Sequence, residues 1–291
     1  MPTTWKDHTL LHFSMLCIAT SGAFARSLSI SPTAAIWWRC LLAVGIMLGY
    51  CRYRGFSFRV EGHRNRWVVL ASGVLMTFHW VAYFYALAWS NVAVAMVAVF
   101  TFPAITAILE PLLLKHRFQL IHILLAALVL TGVAIMAPSA DLSNDLTAGI
   151  AMGVFSATVY AIRNILMKTQ VNSVQGSVLM TYQVIIAVIL LLPLILISGE
   201  TPLITDWPAL IGLGLITTAI GHTLFLNSFR AFSVTTASLI GSTQPVYGIA
   251  FGFLLLGEVP GWNTVWGGGL ILASVVVEAL RAGRSRLITR P

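Results

Sequence analysis

The stretch FHWVAYFYALAW, Phe78–Trp89, forms the second half of an apolar run, Trp67–Ala88, that contains no carboxylate, lysine or arginine beyond its start. A segment of ~20 residues at 1.5 Å rise crosses a ~30 Å hydrocarbon core. The run therefore has the length of a membrane span, which exceeds that of a buried helix in a soluble protein. Met76, His79, Trp80, Tyr83 and Leu87 recur at the spacing of one helix face. An imidazole, an indole and a phenol on one face need polar partners, so the face points to a cavity or to neighbouring helices rather than to lipid.

The rest of the chain repeats this pattern. Of its 291 residues, 58% are hydrophobic and 9% charged, with a mean hydropathy of +0.90. Soluble domains carry about 25% charged residues, so a soluble enzyme is excluded. A backbone in lipid must satisfy its own hydrogen bonds, as helices or as a closed barrel. Barrel strands alternate polar and apolar residues, and these runs do not. The fold class is an all-α integral membrane protein, with the lipid bilayer as its partner. Ten transmembrane helices are expected: Leu10–Leu28, Pro32–Cys51, Trp67–Ala88, Val92–Leu114, Leu120–Met136, Thr147–Met167, Gly176–Ile197, Pro208–Phe229, Thr235–Leu256 and Asn263–Leu280. The first lacks a basic lead-in and a small-residue cleavage site, so it is expected to be retained. Cys17, Cys40 and Cys51 have no pairing or ligand spacing and read as buried thiols.

The net charge of +8 is distributed by side of the membrane and does not form a nucleic-acid patch. Lys6, the arginines between Arg52 and Arg66, Lys115, Arg117, Lys168, Arg230 and the arginines of the tail fall on one side if the spans alternate. The opposite connections hold Asp141, Asp145, Glu200, Asp206 and Glu258. Retained Lys and Arg mark the cytoplasm, which predicts cytoplasmic N- and C-termini in the cell inner (plasma) membrane.

Shifting the chain by 142 residues lays one half over the other. AWSNVAVA (88–95) lies over RAFSVTTA (230–237), Pro103 meets Pro245, and PLLLKH (111–116) meets the segment beginning at Phe253. Five spans per half is an odd number, so residues 147–291 are expected to be inserted upside down relative to 1–146. Inverted repeats place binding sites near midplane at the repeat interface. Ten spans in two halves, with LLLGE (Leu254–Glu258) closing the ninth, resemble the drug/metabolite transporter superfamily, in its EamA-like ten-span branch. WWRCLLA (37–43) is similar to that family's second-span arginine, here Arg39. His79-Trp80 together with Glu110-Pro111 resembles one subset. The first half departs from the pattern, with Lys115-His116 standing where the family has Gly-Glu. The resemblance implies secondary transport, often export, of amino acids or related metabolites. It also implies a cavity between spans three, four, eight and nine, with spans five and ten packed behind.

An ionisable group inside a span is costly and faces a cavity or a partner. His79 titrates near neutrality, and is read as a solute contact, a proton carrier or an interhelical tie. His222 falls opposite Trp80 in the repeat, one position from His79's own counterpart, Gly221. Arg39 lies roughly 9–10 Å below one end of its span and needs an anion or helix-end carbonyls. Glu110 reads as a coupling or gating group, or as a partner of Lys115. Pro103 and Pro245 each free a backbone carbonyl at matched mid-span positions, with Thr101, Thr243 and Gln244 beside them, and are expected to gate. The expected substrate-binding set is therefore His79, Trp80, Tyr83, Arg39, His222 and Gln244. Gly45/Gly49, Gly149/Gly153 and Gly248/Gly252 fit close helix packing within the chain. His8 and His12 lack further metal ligands, and no cofactor or metal is expected. Trp5, Trp67, Trp89, Trp207 and Trp262 mark an interfacial belt. The reading is a proton- or gradient-coupled carrier for a small amphipathic or zwitterionic solute, with a monomer or homodimer as its state. A membrane enzyme would cluster carboxylates or histidines at one depth, and a scaffold would have no use for midplane charges.

Overall fold

The computed structural model describes residues 4–113, 121–137 and 141–288. Among them every regular element is helical. The chain begins with α1 (Trp5–Ala19) and α2 (Ser21–Arg26), followed by α3 (Pro32–Tyr53) and α4 (His63–Trp89). Next come α5 (Val92–Val99), α6 (Phe102–Leu113), α7 (Ile121–Met136), α8 (Asp145–Lys168) and α9 (Gly176–Ser198). A short 3-10 turn leads to α10 (Trp207–Gly212), a π-helical stretch (Leu213–His222) and α11 (Thr223–Ser228). The chain ends with α12 (Val234–Gly241), α13 (Gln244–Leu256) and α14 (Trp262–Ile288). Six stretches are long and apolar enough to cross a membrane: Pro32–Tyr53, His63–Trp89, Val92–Leu113, Asp145–Lys168, Gly176–Ser198 and Ile204–Ser228. This is a multi-pass membrane protein.

Local chemistry fixes where the helices start and stop. Thr4 and Asp7 form a capping box at α1. Ser31 caps α3 with Pro32 in its first turn. Asn91 accepts from Val94 N at 2.9 Å to start α5, and Ser233, its counterpart in the second half, accepts from Thr236 N at 3.1 Å to start α12. Gly199 and Gly257 end α9 and α13 at φ of 64° and 68°, a conformation that glycine adopts without strain.

The expected breaks at the prolines are present. α5 ends at Val99 and α6 restarts at Phe102, ahead of Pro103; α12 ends at Gly241 and α13 restarts at Gln244, ahead of Pro245. Thr101 and Thr243 carbonyls then accept the first bonds of the second pieces, from Ile105 N and Tyr247 N. What would be a single helix is, in each half, two pieces meeting at mid-length.

α4 is the central element and packs on α8 and α9. α3 packs on α9 and on the π-helical stretch; α1 lies against that stretch and α11; α7 and α14 pair with each other behind α6. Packing is close where glycine permits it. A Cβ on Gly153 would stand 2.5 Å from Ala98 Cβ, and one on Gly248 would stand 2.7 Å from Met96 Cε. Gly132 and Gly267 bring the α7 and α14 backbones together. The Gly45/Gly49 pair corrects the sequence expectation. Nothing lies within 4 Å of a Cβ at either position, so this pair faces outward and takes no part in packing within the chain. Lys115, His116 and Arg117 lie outside the described residues.

Candidate functional site

The aromatic face of α4 is buried along its length: Met76, His79, Trp80, Tyr83 and Leu87 are all at most 6% exposed, while Phe78 on the opposite face is 49% exposed. His79, Trp80 and Tyr83 of this stripe line a central cavity of about 30 Å³ together with Arg39, Phe102, Tyr160, His222 and Gln244. That is room for a water or two, so the cavity is narrow. Of the expected substrate-binding residues, His79, Trp80, Tyr83, Arg39, His222 and Gln244 all line it. Glu110, Pro103 and Pro245 do not. The cavity draws on α1–α4, α8 and the π-helical stretch as well as on the two broken helices, a wider wall than the four spans expected.

Two histidines are held in defined tautomers by their partners. Ser156 Oγ donates to the His79 carbonyl at 2.9 Å, so its lone pairs face His79 Nδ1 at 2.8 Å. Nδ1 is thus the protonated nitrogen, and Nε2 carries the lone pair. The ring stacks on Tyr160 at 4.1 Å, nearly parallel, and lies 6.4 Å from Tyr83. His222 Nε2 accepts from Trp80 Nε1 at 3.3 Å, which puts the His222 proton on Nδ1. That Nδ1 is buried without a partner.

Arg39 is 1% exposed. Its guanidinium lies 4.5 Å over the Trp80 ring and 5.5 Å over Phe84, an arrangement favourable to a buried cation. Its Nε and Nη2 have no hydrogen-bond partner. No helix-end carbonyl ties them. A second buried arginine, Arg163 on α8, was not singled out from the sequence. It bonds Gln183 Oε1 through Nε (3.1 Å) and Nη2 (2.5 Å), and Asn164 Oδ1 through Nη1 (2.8 Å). Its intramembrane charge beside Tyr160 and Asn164 was the available signal.

Charged groups close the two ends of the bundle in matching ways. At one end Arg26 donates to Leu87 O (3.3 Å) and pairs with Glu258 (3.2 Å), whose Oε2 accepts from Val92 N at 2.7 Å, the first residue of α5. At the other end Lys168 donates to Phe229 O (2.5 Å) and Phe232 O (2.8 Å). There Glu110 accepts from Thr235 N (3.3 Å) and from Thr235 Oγ1, at the start of α12. Glu110 thus has a partner in the other half of the chain. Among the described residues no three His, Cys, Asp or Glu side chains converge as a metal site.

This site sits in a sequence with clear relatives. Residues 7–137 and 147–279 each match the model of the EamA-like transporter family. The chain belongs to that family. EamA-like proteins are membrane transporters, and this chain is 24% identical over 274 residues to an uncharacterized transporter of Bacillus subtilis, covering 92% of this chain and 88% of the relative. An uncharacterized transporter of Archaeoglobus fulgidus is 25% identical, with 91% and 93% covered. A pseudopaline exporter of Pseudomonas aeruginosa is 27% identical over 244 residues, with 80% and 82% covered. A solved crystal structure shares the fold at a TM-score of 0.72 and 16% identity, over 97% of this chain and 99% of its own.

Proposed function

We propose that this EamA-like chain is a ten-span secondary active transporter, an exporter of a small organic metabolite such as an amino acid or related amphipathic solute. In this reading its two five-helix halves are inverted repeats, 1–146 and 147–291. They rock about the central cavity and expose it alternately to the two sides. Both termini face the cytoplasm of the inner membrane, as the one-sided distribution of Lys and Arg favours.

The observation that carries the reading is the hydrogen bond between Trp80 and His222. These residues are 142 positions apart, the offset at which the halves align in sequence. Counterparts in a two-fold arrangement touch each other only on the axis, and this pair touches inside the cavity. The contacts at the two ends are related by the same offset: Arg26 and Lys168 are counterparts, and so are the carbonyls they reach, Leu87 and Phe229. A cation–carbonyl contact repeated at the two ends, each with a glutamate beside it, suits alternating access. Pro103 and Pro245 supply the hinges, and Glu110 and Glu258 the contacts that must break. Arg39, His79, Trp80, Tyr83, His222 and Gln244 contact solute.

The test is a metabolite counterflow screen with the purified protein in vesicles, with and without a pH gradient. Accumulation of a labelled solute above protein-free vesicles is the expected result. No movement of any solute in either condition contradicts the reading.

A further inference from the structure

The cavity wall offers hydrogen-bond donors that the protein leaves unmatched. Arg39 Nε–H and Nη2–H and His222 Nδ1–H are all buried and unpartnered, and both side chains are at least nine-tenths buried and line the same space. A buried donor without an acceptor is costly, and three around one cavity define a site that wants oxygen lone pairs. The charge points the same way. No Asp or Glu lines the cavity, while Arg163 lies behind Tyr160 and adds a second buried cation.

The described carboxylates nearest to helix mouths are already committed elsewhere. Glu258 is taken by Arg26 and Val92, Glu110 by Thr235, and Asp206 by Ser29. An ammonium group on the solute would therefore find no counter-charge. The Trp80 face, which would attract a cation, is covered by the Arg39 guanidinium at 4.5 Å. His79 Nε2 is a single neutral acceptor, a weak substitute for a carboxylate.

We infer that the transported solute is an organic anion: a carboxylate with an apolar or aromatic body and no compensating amine. Arg39 holds the carboxylate through Nε and Nη2 in the forked geometry that guanidinium offers and ammonium does not. His222 Nδ1–H donates a third bond, and in a conformation that widens the cavity beyond its present 30 Å³ the body lies against Tyr160 and Phe102. The inference rests on the transport reading for its site and narrows that reading's small organic metabolite to an acid lacking a free amine, which sets its amino-acid example aside.

The test compares solutes of one skeleton and three charges. Purified full-length protein in nanodiscs is titrated with isocaproate, leucine and isoamylamine, and with phenylpropionate, phenylalanine and phenethylamine, read by tryptophan fluorescence and thermal shift. Each acid should bind about tenfold or more tighter than its zwitterion or amine, the ratio expected of an unmatched charge-assisted hydrogen bond. Arg39→Lys should lose about tenfold for the acids alone, and His222→Gln, which keeps an acceptor for Trp80, should lose less. The wild-type series decides the matter even if neither variant folds. Zwitterion or amine binding as tight as the matching acid overturns the inference, and so does failure of every acid to bind. Tight acid binding without counterflow in vesicles upholds the anion site and instead contradicts the transport reading.

Discussion

His79 shows how much a single side chain can be read in two directions. Its depth, its aromatic neighbours and its place on the stripe with Trp80 and Tyr83 were legible in the sequence, because helical periodicity reports which residues share a face. Its partner was not. Ser156 sits 77 positions away, and no pattern links a lone serine on α8 to a histidine on α4. The structure gives the imidazole two ties to Ser156 and a tyrosine at 4.1 Å, and these favour a fixed wall residue over a proton carrier. His79→Gln keeps a donor for Ser156 and removes the ionisable imidazole. We expect it to shift solute affinity severalfold while leaving accumulation under a pH gradient intact, measured as flux in vesicles. Loss of gradient-driven accumulation with exchange preserved would instead make His79 the proton carrier. Arg163 was missed for a related reason. Its partners, Gln183 and Asn164, are uncharged, and the matched positions of the repeat offer Ser21 where it stands.

At the scale of elements, the broken helices were legible and the π-helical stretch was not. Pro103 and Pro245 remove backbone donors at matched places, and a missing donor is visible in sequence. The stretch Leu213–His222 is π-helical where its counterpart in α4 is α-helical, a difference of backbone hydrogen-bond register. Register leaves no mark in composition. Such stretches concentrate at functional sites, and this one ends on His222.

The glycines show the same limit from another side. Gly45/Gly49 and Gly149/Gly153 have identical spacing, yet only the second pair meets a neighbouring helix within the chain. Spacing reports a face, and the face may look in or out. Gly153→Val pushes a side chain into Ala98 and should cost about 1–3 kcal/mol, the range for overpacking. Gly45→Val meets nothing and should stay within about 0.5 kcal/mol of the parent. Denaturation in mild detergent measures both, and equal losses would show that α8 does not pack on α5 as described.

For the whole molecule, the offset of 142 residues links sequence, packing and mechanism. It is visible as weak identities, each unconvincing alone, and it is the separation of Trp80 and His222, which touch at the cavity, and of the contacts Arg26–Leu87 and Lys168–Phe229. Topology follows from the charge distribution: single cysteines replacing Ser57 and Asp141 should react with an impermeant thiol reagent from opposite sides, Ser57 from the cytoplasm. Reaction of both from one side would remove the inverted arrangement. The closures could not have been assembled from sequence, since Arg26 and Glu258 lie 232 positions apart and only folding brings them to 3.2 Å.

Alternating access to one central cavity is the claim on which the rest depends, and accessibility of Gln244 tests it most directly. Gln244 lines the cavity and is partly buried, so Gln244→Cys places a reporter there, with Cys17, Cys40 and Cys51 replaced by alanine or serine. An impermeant thiol reagent is applied to either face of oriented vesicles, in the parent and with Glu258→Gln or Glu110→Gln. The account predicts labelling from both faces, with Glu258→Gln raising the outer rate at the expense of the inner and Glu110→Gln doing the reverse. Labelling from one face in all variants, or both rates rising together as in an open channel, would contradict it.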